Sequence, residues 1–197
     1  MEKSVRSEMK IVEEPKKPIA MHPKKFAMWL FMASVMMLFA SLTSAYIVRQ
    51  AEGNWLYFEL PLLFYYTTAI IAVSSVTMQA AYFAAKKDNT GVVKIMVLIT
   101  SVLGVLFLIG QVKGWGEMAR QGVHFVGNPS GSFVIAISFV HGLHIISAVV
   151  FLFIVLNSAI RLRIYSKNMA QMEMCTTYWH FLGALWIYLF IFFLINR

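Results

Sequence analysis

Apolar residues in this chain fall into five long runs, separated by short stretches where charge, proline and glycine collect. The runs are about Phe26–Val48, Pro61–Ala85, Val92–Gln111, Ser132–Ile160 and Cys175–Ile195. The fourth, SFVIAISFVHGLHIISAVVFLFIVLNSAI, carries no charge over 29 residues. At about 1.5 Å per residue it is longer than a hydrocarbon core of roughly 30 Å, so it can cross a bilayer with tilt. All five runs are long enough to span, and lipid offers nothing to satisfy open backbone groups. Each is therefore predicted as a helix. The expected fold is all-α: a polytopic membrane protein, a bundle of five transmembrane helices.

The stretches between the runs set the direction of the bundle. Residues 1–25 carry alternating charges and three prolines, with none of the apolar centre that a signal peptide needs. They are expected to form a flexible basic cytoplasmic tail ahead of a transmembrane domain over 26–197. Thirteen of the 17 basic residues fall in that tail, in the second loop (Lys86, Lys87, Lys94) and in the fourth (Arg161, Arg163, Lys167). Only Arg49, Lys113, Arg120 and Arg197 lie on the other side. The positive-inside rule then puts the N-terminus in the cytoplasm and the C-terminus outside.

Composition agrees. Hydrophobic residues make up 59% and charged ones 13%, with a mean hydropathy of +0.70; a soluble domain of this size needs no such apolar surface. The net charge of +8 is an orientation signal with some pull on anionic lipid, and no aromatic-interleaved basic patch supports nucleic-acid binding. The outer-loop aromatics Trp55, Tyr57, Phe58 and Trp115 look like interface anchors. The segment Val112–Gly131 reads as a glycine-rich loop. Ala69, Ala72, Ser74, Ser75, Ala80 and Ala81 read as a small-residue face on the second helix, fit for close helix approach.

Candidate chemistry is sparse. The single cysteine, Cys175, excludes a CxxC pair or a four-Cys cluster within the chain. His141 and His144 share a face of the fourth helix, and His180 lies on the fifth. A haem or metal site needs ligands that converge. Counted from the helix ends, His144 lies roughly 27 Å deep and His180 roughly 8 Å, so the favoured reading is structural, hydrogen-bonded histidines. The nine carboxylates fall in the tail, the loops and the helix ends, which speaks against a transporter with a buried ionisable group. Glu59, just before the second helix, reads first as a favourable charge at a helix N-terminus. Met28, Met32 and Met36 read as packing rather than copper ligands. Arg161 and Arg163 end the fourth helix, to hold a lipid phosphate or to snorkel.

The chain resembles subunit III of the haem–copper cytochrome c oxidases. FELPLL at Phe58–Leu63, SSVT at Ser74–Thr77, LGVLFLIGQ at Leu103–Gln111, GSFVIAISFVHGLHIISAVVFL at Gly131–Leu152 and YWHFLGALWIYLF at Tyr178–Phe190 carry the likeness, and MWLFMAS at Met28–Ser34 looks like the start of the family's third helix. The resemblance implies the short, five-helix form of a subunit that holds no haem or copper itself. It implies packing against catalytic subunit I, with subunit II, other small subunits and a larger respiratory supercomplex as further partners. It also implies bound phospholipid, and haem a and copper in the partner subunits. His141, Gly142, His144, Trp179, His180 and Trp186 fall on signature positions. Glu59, Arg161 and Arg163 are candidate lipid or partner contacts. Val35 and Gly183 stand where the family commonly carries acidic residues, and Lys113 and Gly114 occupy the area of a third, so the likeness assigns none of them a proton-handling role.

The resulting expectation is a non-catalytic subunit III of an aa3-type, proton-pumping cytochrome c oxidase in a bacterial plasma membrane. It would sustain turnover and proton uptake. The alternatives are subunit III of a quinol oxidase, the related accessory protein of nitric-oxide reductase, and a small membrane transporter.

Overall fold

The computed structural model describes residues 23–123, 127–161 and 169–196. Five helices occupy them: α1 Pro23–Ala51, α2 Leu62–Lys86, α3 Thr90–Arg120, α4 Pro129–Ile160 and α5 Ala170–Ile195. All five are long and apolar enough to cross a membrane. Nearly all of the expected tail lies outside the described residues, as do Arg163 and Lys167. The first helix starts at Pro23, three residues earlier than expected; proline is well suited to a first turn because its missing N–H has no partner there to lose.

Two helix starts are written in short-range chemistry. Asn89 caps α3 by accepting from the Val92 amide at 3.3 Å. Asn128 caps α4, accepting from the Ser130 amide at 3.0 Å and the Ser130 hydroxyl at 2.8 Å, with Pro129 as the first helical residue. Asn128 also accepts from the Leu56 amide at 3.3 Å, which ties the α1–α2 connection to the start of α4.

The segment expected as a loop from Val112 is helical as far as Arg120. Its glycines mark close approach rather than a turn. A Cβ on Gly114 would sit 3.0 Å from the Phe64 ring, and one on Gly110 would run into the Thr67 methyl. One turn further in, a Cβ on Gly104 would meet Trp179 at 2.7 Å and Val149 at 3.0 Å. It is α3 that supplies the small residues for the α2–α3 contact, the most extensive in the bundle. The small-residue face expected on α2 does not form, since Ala69, Ala72 and Ala80 are exposed and only Ser74 and Ala81 of that set are buried. The buried stripe of α2 instead runs Phe64, Thr67, Ile71, Ser74, Met78, Ala81 and Ala85, the spacing of one helical face.

Helices α2, α3, α4 and α5 form a closed ring, each packed on the next and α5 returning to α2. Helix α1 stands outside, touching only α4 and α5 among the described helices. It runs parallel to α5. At one end Lys25 forms an ion pair with Glu173. At the other, the Tyr46 hydroxyl and the Gln50 amide both donate to the Asn196 carbonyl at 3.1 Å. The contact face is the stripe Met32, Val35, Phe39, Thr43 and Tyr46. The end of the bundle near Lys25 also carries Lys24, Lys86, Lys87, Lys94 and Arg161; we term it the basic end.

Large apolar side chains point outward all round the bundle, among them Trp29, Met37, Tyr66, Val76 and Ile195. In lipid these cost nothing, because acyl chains are as apolar as leucine. Helix association there rests on close packing and on interhelical hydrogen bonds.

Candidate functional site

Helix α5 carries the densest polar recognition in the molecule, and most of it faces α2. Trp179 and Trp186 are seven residues apart, hence on one face. The Trp179 indole N–H donates to the Ser74 hydroxyl at 3.1 Å, and that of Trp186 to the Thr68 hydroxyl at 3.0 Å. Each hydroxyl in turn donates to its own helix, Ser74 to the Ile71 carbonyl at 2.8 Å and Thr68 to the Phe64 carbonyl at 2.7 Å. The same device joins α3 to α4, where the Trp115 N–H donates to the Ser138 hydroxyl at 2.9 Å. A serine or threonine that would be a weak point in lipid is thereby satisfied on both sides. Trp115 was expected as an interface anchor beyond the third helix; it lies within α3. Trp55, of the same expected set, packs inward against Tyr46 with ring centres 4.7 Å apart.

His180 extends the α2–α5 seam. Its Nε2 lies 3.0 Å from Gln79 Oε1, and its Nδ1 is bonded to the Ser75 hydroxyl. A carbonyl oxygen only accepts, so Nε2 carries the proton and Nδ1 accepts from Ser75. One neutral tautomer is thus fixed, with both nitrogens used.

His141 is different. It is fully buried, and neither ring nitrogen has a partner. Aromatic rings enclose it: Trp186 stacks on it at 5.2 Å with 29° between planes, while Phe39 and Phe107 each present an edge at 6.1 Å. His144, one turn on, gives Nδ1 to the Val140 carbonyl at 2.8 Å and meets the Phe39 ring at 5.7 Å. Its side chain therefore looks toward α1, and that of His180 toward α2.

The depths estimated from the sequence need correction. Helix α5 begins at Ala170, so His180 is ten residues inside it. Tyr178 bonds the Ser147 hydroxyl at 2.8 Å and reaches the His144 carbonyl at 3.5 Å. His144 and His180 thus lie at nearly one level. It is direction, not depth, that separates them.

These residues do not fit a metal or haem. Among the described residues no three His, Cys, Asp or Glu side chains cluster. Both nitrogens of His180 are already bonded, and aromatic rings surround His141.

The remaining predicted positions are scattered. Gly142 is buried, yet a Cβ there would meet nothing within 4 Å; it lines an apolar groove of about 160 Å³ between α3 and α4, beside Trp115 and Phe139. Glu59 is exposed in the connection before α2 and shares a surface hollow with Glu117. The cap residue of α2 is Pro61, without a side-chain bond. Arg161 is exposed at the end of α4, far along the bundle from Glu59. Val35 is buried in the α1 contact stripe, and a Cβ on Gly183 would meet Ile71 at an ordinary 3.8 Å. Residue-type reasoning missed the hydroxyl partners Thr68, Ser74, Ser75 and Ser138. The signal for them was a hydroxyl residue inside an apolar span, paired with a tryptophan or histidine on another.

Five described helices long and apolar enough to cross a membrane, joined by indole, imidazole and hydroxyl groups, define a helical membrane protein by class. Known sequences place it more closely. The family model for cytochrome c oxidase subunit III matches residues 54–196, which takes in α2 to α5 and leaves α1 outside. A probable cytochrome c oxidase subunit 3 from Nocardia farcinica is 31% identical over 172 residues, covering 82% of each chain. A probable quinol oxidase subunit 3 from Staphylococcus saprophyticus is 27% identical, over 84% of this chain and 85% of its own, and one from Staphylococcus aureus is 26% identical over the same shares. The chain belongs to the cytochrome c oxidase subunit III family. It is a subunit III of a haem–copper oxidase.

Proposed function

We propose that this chain is the subunit III of an aa3-type, proton-pumping cytochrome c oxidase in a bacterial plasma membrane. It packs there against catalytic subunit I, with subunit II and smaller subunits alongside. Electrons and oxygen are handled by haem a and copper in those partners. What supports the cytochrome c assignment is the relative with the highest identity among the three above, the one from Nocardia farcinica. The basic end faces the cytoplasm, as the distribution of lysine and arginine favours. His141, His144, Trp179, His180 and Trp186 hold the bundle in the shape the partner needs, and Gly142 keeps the α3–α4 groove open. Glu59, Arg161 and Arg163 meet lipid or partner at the two membrane surfaces.

The observation that carries a bracing role is the seam Trp186–Thr68, Trp179–Ser74 and His180–Ser75/Gln79, which joins polar groups of α5 to polar groups of α2. The experiment is affinity purification of the full chain from its native membrane, followed by haem analysis and donor assays. Co-purified haem a, with oxygen uptake driven by cytochrome c, supports the proposal. Uptake driven only by quinol moves it to the quinol-oxidising branch, a reading the staphylococcal relatives favour. In the same system, deletion leaves initial oxygen reduction largely intact and hastens its loss during turnover. Deletion that abolishes haem insertion identifies an assembly factor instead.

A further inference from the structure

One polar hollow adjoins the seam just described. It lies between α2 and α5, has a volume of about 350 Å³, and is lined by Gln79, Tyr82, Glu173, Thr176, Thr177 and His180. Every lining residue bears a polar atom, whereas the grooves beside Phe39 and Phe139 are lined mostly by apolar side chains. The α2–α5 seam fixes its register. The pairs Trp186–Thr68, Trp179–Ser74 and His180–Ser75 place Gln79 opposite Thr176, and Tyr82 opposite Glu173. Thr176 lies six residues into α5, or about 9 Å from its start, so the crevice lies nearer the basic end of the bundle.

Thr176 carries the second observation. It is 7% exposed, and its hydroxyl has no hydrogen-bond partner. The neighbouring Thr177 shows the ordinary solution, donating to the Glu173 carbonyl at 2.8 Å. A buried hydroxyl without a partner costs about 1–3 kcal/mol and points to something that the protein itself does not supply.

The lining also says what that is. Glu173, the one charged residue of the lining, is compensated by Lys25, so the lining itself carries no unpaired charge. Gln79 has given its carbonyl to His180 and brings an NH2 donor; Thr176 both donates and accepts; Thr177 and the Glu173 carboxylate accept. A group that accepts from Gln79 and Thr176 while donating to Thr177 or Glu173 completes the set. The volume is within the range of small-molecule sites.

We infer that the α2–α5 crevice binds the uncharged, oxygen-bearing head of a bilayer-resident amphiphile, with Thr176 and Gln79 as its hydrogen-bonding residues. Two sources share that chemistry, a quinol ring and the glycerol head of a neutral glycerolipid. The site is separate from the surface positions Glu59 and Arg161, and it stands whether or not the electron-donor assignment above holds.

The test uses the full chain, in the complex in which it purifies, reconstituted in nanodiscs. One arm adds a photoreactive azido-quinol, the other a diazirine-bearing monoacylglycerol, and labelled peptides are mapped by mass spectrometry. Expected is labelling of the α2 and α5 segments around Gln79 and Thr176 by one of the probes, competed by unlabelled decylubiquinol in the first arm or monoolein in the second. T176V keeps the shape and removes the hydroxyl; it lowers that labelling about fivefold, the effect of one hydrogen bond on an equilibrium constant. Q79L does the same, and T176S restores the wild-type level. Thermal midpoints of the variants within a few degrees of wild type verify that the bundle is intact. Labelling by neither probe, labelling at other helices only, or labelling unchanged in both T176V and Q79L overturns the inference.

Discussion

The imidazole of His141 lies flat against the indole of Trp186, ring centres 5.2 Å apart, and the same indole donates its N–H to Thr68. One side chain of α5 thus joins α4 by stacking and α2 by a hydrogen bond. Replacing Trp186 with phenylalanine keeps much of the ring contact and drops the bond. A double-mutant cycle with Thr68→Val isolates the bond, expected near 0.6 kcal/mol, the average for interhelical bonds in membranes. Unfolding in mixed micelles measures it, and a coupling of zero removes the bond from the account.

His180 makes two bonds to α2 at once. His180→Leu leaves Ser75 and Gln79 facing an apolar side chain, at a cost of about 1–3 kcal/mol. His180→Gln can replace one of the two bonds and recovers part of that loss. Thermal midpoints of the three proteins in one detergent order them wild type, Gln, Leu.

Two glycines give opposite expectations. Gly104→Ala pushes a methyl group into Trp179 and Val149, at 2.7 and 3.0 Å, and lowers the stability of the chain by about 1–3 kcal/mol, the range for overpacking. Gly142→Ala meets nothing within 4 Å and leaves chain stability unchanged. If a partner helix occupies the α3–α4 groove, Gly142→Ala lowers the yield of assembled complex while the isolated chain melts normally. Size-exclusion profiles of the complex, read beside melting curves of the chain, separate the two effects.

Lys25 and Glu173 link α1 to α5 across 148 positions of sequence. Both side chains are about one-third exposed, so the pair contributes no more than about 1 kcal/mol. Its effect is on α1 rather than on the ring. Lys25→Glu increases protease access to the α1–α2 connection, and adding Glu173→Lys restores protection. Raised salt weakens the wild-type pair in the same direction.

The five spans were legible in the sequence because lipid demands a continuous apolar helix, and that demand leaves few alternatives. Their ends were not. Gly114, Gly116 and Lys113 read as loop, but Gly114 is small because Phe64 lies against it. Gln171 and Glu173 read as lying beyond the fifth span, yet Glu173 has Lys25 to neutralise it. That shift of α5 is what displaced the estimated depth of His180. The histidines stood out as polar groups in apolar runs, while Trp179 and Trp186 were marked only by the family resemblance. Their serine and threonine partners were hidden, since nothing local tells which of many hydroxyls faces an indole on another helix. The cap at Asn128 and the first-turn Pro129 start α4 three residues ahead of the expected Ser132.

Because α1 leans on the ring without closing it, the chain divides naturally at the connection 52–61. A polypeptide cut there still holds every interhelical contact of α2 to α5, and the severed N-terminal helix keeps its own docking stripe and its ionic latch. Expressed as two separate fragments in one cell, the halves are expected to find each other in the bilayer and reconstitute the parent, making this subunit a two-part assembly that one gene happens to encode.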